Sequence, residues 1–331
     1  MKSTRSARRS STRSSTRSAT RTATRSSTRS ATRTNRILYA AHSPFPFFFV
    51  GCWNKDSAGQ AAVSDAMRAS LPRPQALFIG GDNVYPEKDS TGKKVYSLNR
   101  LERGFRQMQS LNVPMYVALG NHNIVNSDIL ARELSLPWTI PNNYYCIRFR
   151  RDKLQIIILD TNLYADDTYT EQARKQDNWL SSVLSTQFYE SIIIQHEPLV
   201  GYKKKKESTY VMLPNAHRLI SILSTAPKKP IAILSADIHN YQDIVFEPSH
   251  VSQINQIIVG TGGATLDALP DKMNIPGIRA QHAQERHGFI RVNGIMPEGS
   301  LDYEFISASN SRASTIMRSL EIGLRSTKRP S

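Results

Sequence analysis

Gly81-Asp82-Asn83-Val84-Tyr85 and Gly120-Asn121-His122-Asn123 carry carboxylate, phenol, amide and imidazole groups within a few residues of one another. These are oxygen and nitrogen donors of the kind that hold hard metal ions. Each stretch follows an apolar run, Ala76-Leu77-Phe78-Ile79 before the first and Val113 to Leu119 before the second, and each run reads as a buried strand. The pattern recurs twice. Ser191-Ile192-Ile193-Ile194-Gln195 ends at His196, followed by Glu197-Pro198, and Ile231 to Ser235 ends in Ala236-Asp237-Ile238-His239-Asn240. One Asp or His after a strand carries little meaning. Asp82, Asn121, His122, His196, Asp237 and His239 after four strand ends are a set, placed where open α/β sheets bind ligands.

The elements that must position these donors alternate between strand and helix. Apolar periodicity gives helices over 58–70, 98–110, 171–185 and 213–224, with Ala173, Trp179, Leu180, Val183 and Leu184 forming the apolar side of the third. Residues 144–149 and 154–159 read as an antiparallel pair around Arg150-Arg151-Asp152-Lys153, and 254–259, 288–292 and 302–306 as late strands. Phe47-Phe48-Phe49-Val50 is the first buried strand, and Gly51-Cys52-Trp53-Asn54 follows it. Gly260 to Ala264 reads as a tight turn, without the βαβ context that a nucleotide-binding loop requires. Lys203 to Lys206 is a solvated loop, close enough to His196 to attract an anionic substrate.

In order and spacing these blocks resemble the calcineurin-like metallophosphoesterases, specifically the purple acid phosphatase branch, which carries GDxG, GDxxY, GNH, a single His and GHxH. Here GDNVY matches the second block including its Tyr, GNH the third, and His196 the fourth. The resemblance spans roughly residues 45 to 307. It implies an α/β fold, a four-layer α/β/β/α sandwich of two mixed sheets flanked by helices. Carried over by position, Asp82 would bridge two metal ions. Tyr85, His239 and residue 52 would complete one site, and Asn121, His196 and residue 237 the other. His122 would act as general acid or electrostatic partner of the leaving group. Two ions about 3.5 to 4 Å apart favour in-line attack on phosphorus.

Two positions depart from the family pattern: residue 52 is Cys in place of Asp, and residue 237 is Asp in place of His. Both are competent ligands. A Cys52 thiolate suits zinc or ferrous iron, and Asp237 makes its half of the site more anionic and suited to Mg or Mn. A free cysteine also packs as a small buried hydrophobe, so the expected occupancy is two metal ions (Fe, Zn, Mn or Mg), one, or none. The expected function is accordingly a metal-dependent phosphoesterase acting on a phosphate-ester substrate. The alternative is a catalytically degenerate phosphatase-like protein, a structural component of a large assembly tethered by its basic arm.

That arm, residues 1–36, holds eleven of the sixteen net positive charges, with Arg recurring at every fourth position from 5 to 33 and no acidic residue. Its composition cannot bury enough apolar surface to fold alone. It suits a polyanion, either nucleic acid or an acidic surface, through phosphate charge and without base stacking. It also reads as an organellar transit peptide or, through its Arg-x-x-Ser/Thr repeats, as a target for phosphorylation. The metallophosphoesterase-like domain is expected over 37–310, and a basic tail with a short helix over 311–331. The 331 residues are 39% apolar, enough for one large core. Two cysteines, Cys52 and Cys146, imply no disulfide framework. No apolar run approaches the ~20 residues of a transmembrane segment, and no apolar segment of a secretory signal follows the basic start. The expectation is a protein that is intracellular or within an assembled particle rather than secreted, and organellar if 1–36 is a transit peptide.

Overall fold

A computed structural model of the chain describes residues 36–308 apart from 126, 166–169, 207 and 249–252. The expectations for the basic arm and for the tail over 311–331 therefore lie outside the described residues. The chain runs β1 (Ile37–Ala40), β2 (Phe47–Val50), α1 (Ala58–Ala69), β3 (Ala76–Ile79), a hairpin of β4 (Glu87–Lys88) and β5 (Lys94–Val95), α2 (Leu98–Gln109) and β6 (Met115–Val117). Next come α3 (Asn121–Ile124), α4 (Ser127–Glu133), β7 (Tyr145–Phe149), β8 (Leu154–Ile158), α5 (Glu171–Leu184) and β9 (Glu190–Ile194). A second hairpin, β10 (Val200–Tyr202) and β11 (Tyr210–Met212), precedes α6 (Ala216–Thr225) and β12 (Ala232–Ser235). The remainder is β13 (Tyr241–Phe246), β14 (Ile254–Val259), β15 (Asn274–Ile275), β16 (Ile278–Gln284), β17 (Gly288–Ile295) and β18 (Leu301–Ser307).

Two mixed sheets form the centre. One has the order β18-β17-β2-β3-β6, the other β1-β7-β8-β9-β12-β14-β13-β16-β15. Period-2 alternation decides which side chains meet. Phe47, Phe49 and Phe78 point between the sheets and pack with Ile147, Ile156, Ile158, Ile192, Ile194 and Val259. Phe48, Val50, Leu77 and Ile79 face the other way, onto Val63 and Met67 of α1 and Leu101, Phe105 and Met108 of α2. On the far side, Ile157, Ile193, Ile233 and Ile258 pack beneath Leu180, Val183, Leu219 and Leu223 of α5 and α6. Helices therefore cover both outer faces and the sandwich has four layers, α/β/β/α. Strands buried on both faces are apolar at every position, and this is why Phe47–Val50 and Ile192–Ile194 read as unbroken apolar runs.

Helix starts follow local chemistry. The Ser57, Ser97 and Thr170 side chains accept from the backbone N–H groups of Gln60 (3.1 Å), Arg100 (3.3 Å) and Ala173 (3.1 Å), capping α1, α2 and α5. The fourth expected helix begins at Ala216, three residues later than periodicity suggests. Leu213 precedes Pro214, which disfavours a helical conformation there, and its N–H donates to the Leu199 carbonyl at 3.1 Å. Among the described residues no helix is long and apolar enough to cross a membrane.

Candidate metal centre

The ends of parallel strands from both sheets meet at one edge of the sandwich. Strands β2, β3 and β6 run parallel and lead into Cys52, Asp82, and Asn121 with His122. Strands β9 and β12, parallel in the other sheet, lead into His196, Asp237 and His239. Hydrogen bonds hold these loops in place. Gly51 N–H donates to the Val259 carbonyl at 3.0 Å, joining the two sheets, and Ala236 N–H donates to the His196 carbonyl at 2.8 Å within the second. Side chains are excluded at the closest approach: a Cβ on Gly51 would stand 2.3 Å from Cβ of Ala236. Cys52, Asp82 and Asp237 all take left-handed backbone, with φ of 53°, 54° and 47°. Such conformations disfavour side-chain-bearing residues and concentrate at sites whose surroundings enforce them.

Cys52, Asp82 and His196 each offer a donor atom, all within 4.8 Å of one another and all buried. The His196 ring is fixed by Nδ1, 2.7 Å from the Gly80 carbonyl oxygen. That bond fixes the ring with Nε2 turned into the centre. Nε2 is buried without a hydrogen-bond partner, 3.4 Å from Asp82 Oδ1 and 3.7 Å from Asp237 Oδ1. On the other flank, Tyr85 Oη and His239 Nε2 are 3.1 Å apart, with His239 Nδ1 2.9 Å from the Thr265 carbonyl oxygen. His122 donates its backbone N–H to Asp82 Oδ1 at 3.0 Å, and its ring lies 4.7 Å from that of Tyr85. Asn121 is the outlier: it is exposed and lines, with Asp237, Glu197, Lys203 and Met212, a cleft of about 240 Å³.

Charge and burial work against each other here. Burial, then Asp82 and Asp237, pushes the Cys52 thiol well up. Burial, then Cys52 and Asp82, does the same to the Tyr85 phenol. Burial alone would lower His196, but Asp82, Glu197 and Asp237 together outweigh it and raise the imidazole to about 9. Burial lifts Glu197 to about 7. His122 is lowered by burial, with His196, Lys55 and His239 acting in the same direction against the pull of Asp82. Two carboxylates, a phenol and a thiol around an unpartnered imidazole nitrogen fit a cation, whose charge stabilises all of the deprotonated forms at once.

Several residues of the centre carry no signal in the sequence. Glu133, fully buried, accepts from Asn83 Nδ2 and, at 2.8 Å, from Asn123 Nδ2. Asn123 Oδ1 in turn accepts from the N–H groups of Asp82 (3.0 Å) and Gly120 (2.7 Å), tying the ends of β3 and β6 together. Trp53 Nε1 donates to Asn83 Oδ1 at 3.1 Å, linking the end of β2 to the same network. Asn83 and Asn123 stand beside expected ligands, and their position inside the two motifs was a usable hint. Nothing marks Glu133 in the sequence. Tyr96, whose hydroxyl lies 2.6 Å from His122 Nδ1, and Lys55, with Nζ 5.2 Å from the Tyr85 ring centre, were equally unmarked.

No family model and no curated protein matches this sequence. Solved structures do. A purple acid phosphatase, PPD1 from yellow lupin (Lupinus luteus) seeds, superposes with a TM-score of 0.61 at 16% identity, over 82% of this chain and 54% of that one. The chain thus spans about half the length of the lupin enzyme. GAP50, the anchor in the inner membrane complex of Plasmodium, gives 0.58 at 16% identity over 80% of this chain and 84% of that one. PhoD gives 0.54 at 14% identity, over 82% and 72%. The fold is the metallophosphoesterase fold, in the form found in purple acid phosphatase.

Proposed function

We propose that the protein is a metal-dependent phosphohydrolase that cleaves phosphate esters at the strand-end centre. Asp82 would serve both ions of a pair, Cys52, Tyr85 and His239 would hold one, and Asn121, His196 and Asp237 the other. One observation supports the reading: a fully buried histidine whose ring is locked through Nδ1 and whose Nε2 faces two carboxylates at 3.4 and 3.7 Å without a hydrogen-bond partner. A purely structural histidine at 0% exposure would satisfy that nitrogen.

When bound, a pair of ions supplies an activated water and spreads the charge of the phosphoryl oxygens. The chain's own residues do the rest. Burial and then Asp82 raise the Tyr96 phenol, so it keeps its proton and donates it to His122 Nδ1. The His122 proton is then on Nε2, where it can donate a hydrogen bond to the leaving oxygen and stabilise its developing charge. Asn123 and Glu133 hold the Asp82 and Asn121 loops in register. In the test, the full-length protein loaded with zinc, iron or manganese hydrolyses p-nitrophenyl phosphate. Asp82→Ala loses both metal and activity, whereas His122→Ala keeps metal and slows the reaction about 10² to 10⁴-fold. Retained activity in Asp82→Ala, or metal loss in His122→Ala, refutes these roles.

A second reading has an observation of its own. The similarity to GAP50, an anchor protein, covers 84% of it, and this sequence adds a basic arm suited to a polyanion. A scaffold tethered by residues 1–36 would keep its fold and metal content after their deletion and lose its assembly or nucleic acid. On duplex DNA the salt slope would fall by close to one unit for each phosphate contact removed. Unchanged binding after deletion would end the tether. Cys52 and Cys146 are both free, as a reducing compartment would leave them, and this supports an intracellular location.

A further inference from the structure

A cleft of about 380 Å³ opens beside the centre, floored by Tyr85, His122 and His239 and walled by Lys55, Lys88 and Lys94. The three lysines are held close to one another against repulsion. Lys88 and Lys94 are direct cross-strand partners in the β4–β5 hairpin, and like charges directly opposite destabilise a pair of strands. Lys55, half-buried over Tyr85, feels the charges of Arg100 and Lys94. Among the described residues no carboxylate pairs with any of the three. Glu87, in the same cleft, is bound to Arg100 at 2.8 Å. Asp89 Oδ1 accepts from Thr91 N–H (2.9 Å), Thr91 Oγ1 (2.7 Å) and Lys93 N–H (3.0 Å) within its own turn.

The cleft on the other flank is built differently. Its Lys203 is paired with Asp267 at 2.8 Å, Lys205 shares the lining with the acidic Glu197 and Asp237, and Val211, Met212, Leu213 and Pro214 make it partly apolar. Uncompensated positive charge therefore lies on the Tyr85 flank. The hairpin sets two exposed lysines face to face, with a third, half-buried, leaning in from the loop after β2. A bound anion would relieve their mutual repulsion.

We infer that Lys55, Lys88 and Lys94 form a second phosphate subsite beside the metal centre, selecting small substrates that carry two phosphate groups, one cleaved and one held. Lys is suited to this as a compact point charge with three donors. The inference rests on the phosphohydrolase reading for the cleaved group, and the held group is tested without turnover. Non-hydrolysable alkane bisphosphonates with two to four carbons between the phosphorus atoms, and the matching monophosphonates, are titrated calorimetrically into the metal-loaded full chain at fixed ionic strength. The proteins compared are the parent, the triple variant Lys55→Gln, Lys88→Gln, Lys94→Gln, and a control, Lys175→Gln, on α5. The parent and the control bind one of the bisphosphonates about tenfold or more tighter than its monophosphonate, and the triple variant loses that preference while monophosphonate affinity holds within about twofold. The single change Lys94→Glu, which pairs Lys88 within the hairpin, abolishes the preference as well. A parent without the preference, or a triple variant that keeps it, overturns the subsite. A lysine-dependent preference in a protein that hydrolyses no phosphate ester leaves the subsite standing and removes the phosphohydrolase reading instead.

Discussion

His196 and His122 are the same residue type with different tasks because their neighbours differ. His196 spends Nδ1 on a backbone carbonyl and turns a bare nitrogen toward two carboxylates. His122 instead has a phenol at Nδ1, 2.6 Å away, and faces the open cleft. On the proposed phosphohydrolase reading, Tyr96 is a positioning residue. Tyr96→Phe should lower kcat about tenfold with KM little changed and metal content intact, because only the proton and orientation of His122 are affected. A rise in KM with kcat unchanged would instead assign Tyr96 to substrate binding. Glu133 makes a prediction of a different kind. Burial raises its carboxyl from 4.5 to about 8, so the folded state holds a proton that the unfolded chain releases near 4.5. That contribution to stability is complete below about 4.5 and is lost as pH rises through about 8. The slope is at most ~1.4 kcal/mol per pH unit. Denaturant unfolding of metal-free protein should show this decline, and Glu133→Gln should flatten it. An equal slope in both proteins would remove Glu133 as its source.

Strands and loops deliver the donors, and glycine lets them approach. A Cβ on Gly120 would stand 2.4 Å from Asp82 Oδ1, 2.5 Å from the Asp82 backbone nitrogen and 2.9 Å from a ring carbon of His196. The backbone at Gly120 has φ −103°, which any residue can adopt, so the effect of Gly120→Ala is purely one of contact. The variant should be less stable than the parent, because the Asp82 backbone must shift, and bind metal at least about tenfold more weakly because Asp82 is displaced. Metal affinity equal to the parent would show that Asp82 can move without cost. The positions of the donors were legible because each stands directly after an apolar run, and an apolar run of that length is a buried strand. The antiparallel pair β7–β8 was legible for the same reason. The β4–β5 hairpin was not, because Glu87-Lys88 and Lys94-Val95 are too short and polar to show a period. Neither was the β10–β11 hairpin, whose solvent-facing Tyr210 and Met212 break the apolar-inside pattern. Glu133 lies 50 residues from Asn83, and no local rule links a helix-terminal Glu to a loop so distant.

Across the whole molecule, two sheets packed face to face create a single edge to which residues 187 positions apart in sequence, Cys52 to His239, are brought. The sandwich core of Phe47, Phe49 and Phe78 against the isoleucines of β8 and β9 supports the strained loops above it, in which Cys52, Asp82 and Asp237 hold left-handed backbone. Three such residues around one buried unpartnered histidine nitrogen make a costly arrangement for a scaffold and a reasonable one for a metal site. Counting the ions tests this most directly. Full-length protein is equilibrated with zinc, iron or manganese, freed of unbound metal and analysed for metal per chain, alongside Asp82→Ala. Two ions per chain in the parent, falling to none when Asp82 is removed, is the predicted result. One ion or none in the parent, or the same content in both proteins, would contradict a paired metal centre built on Asp82.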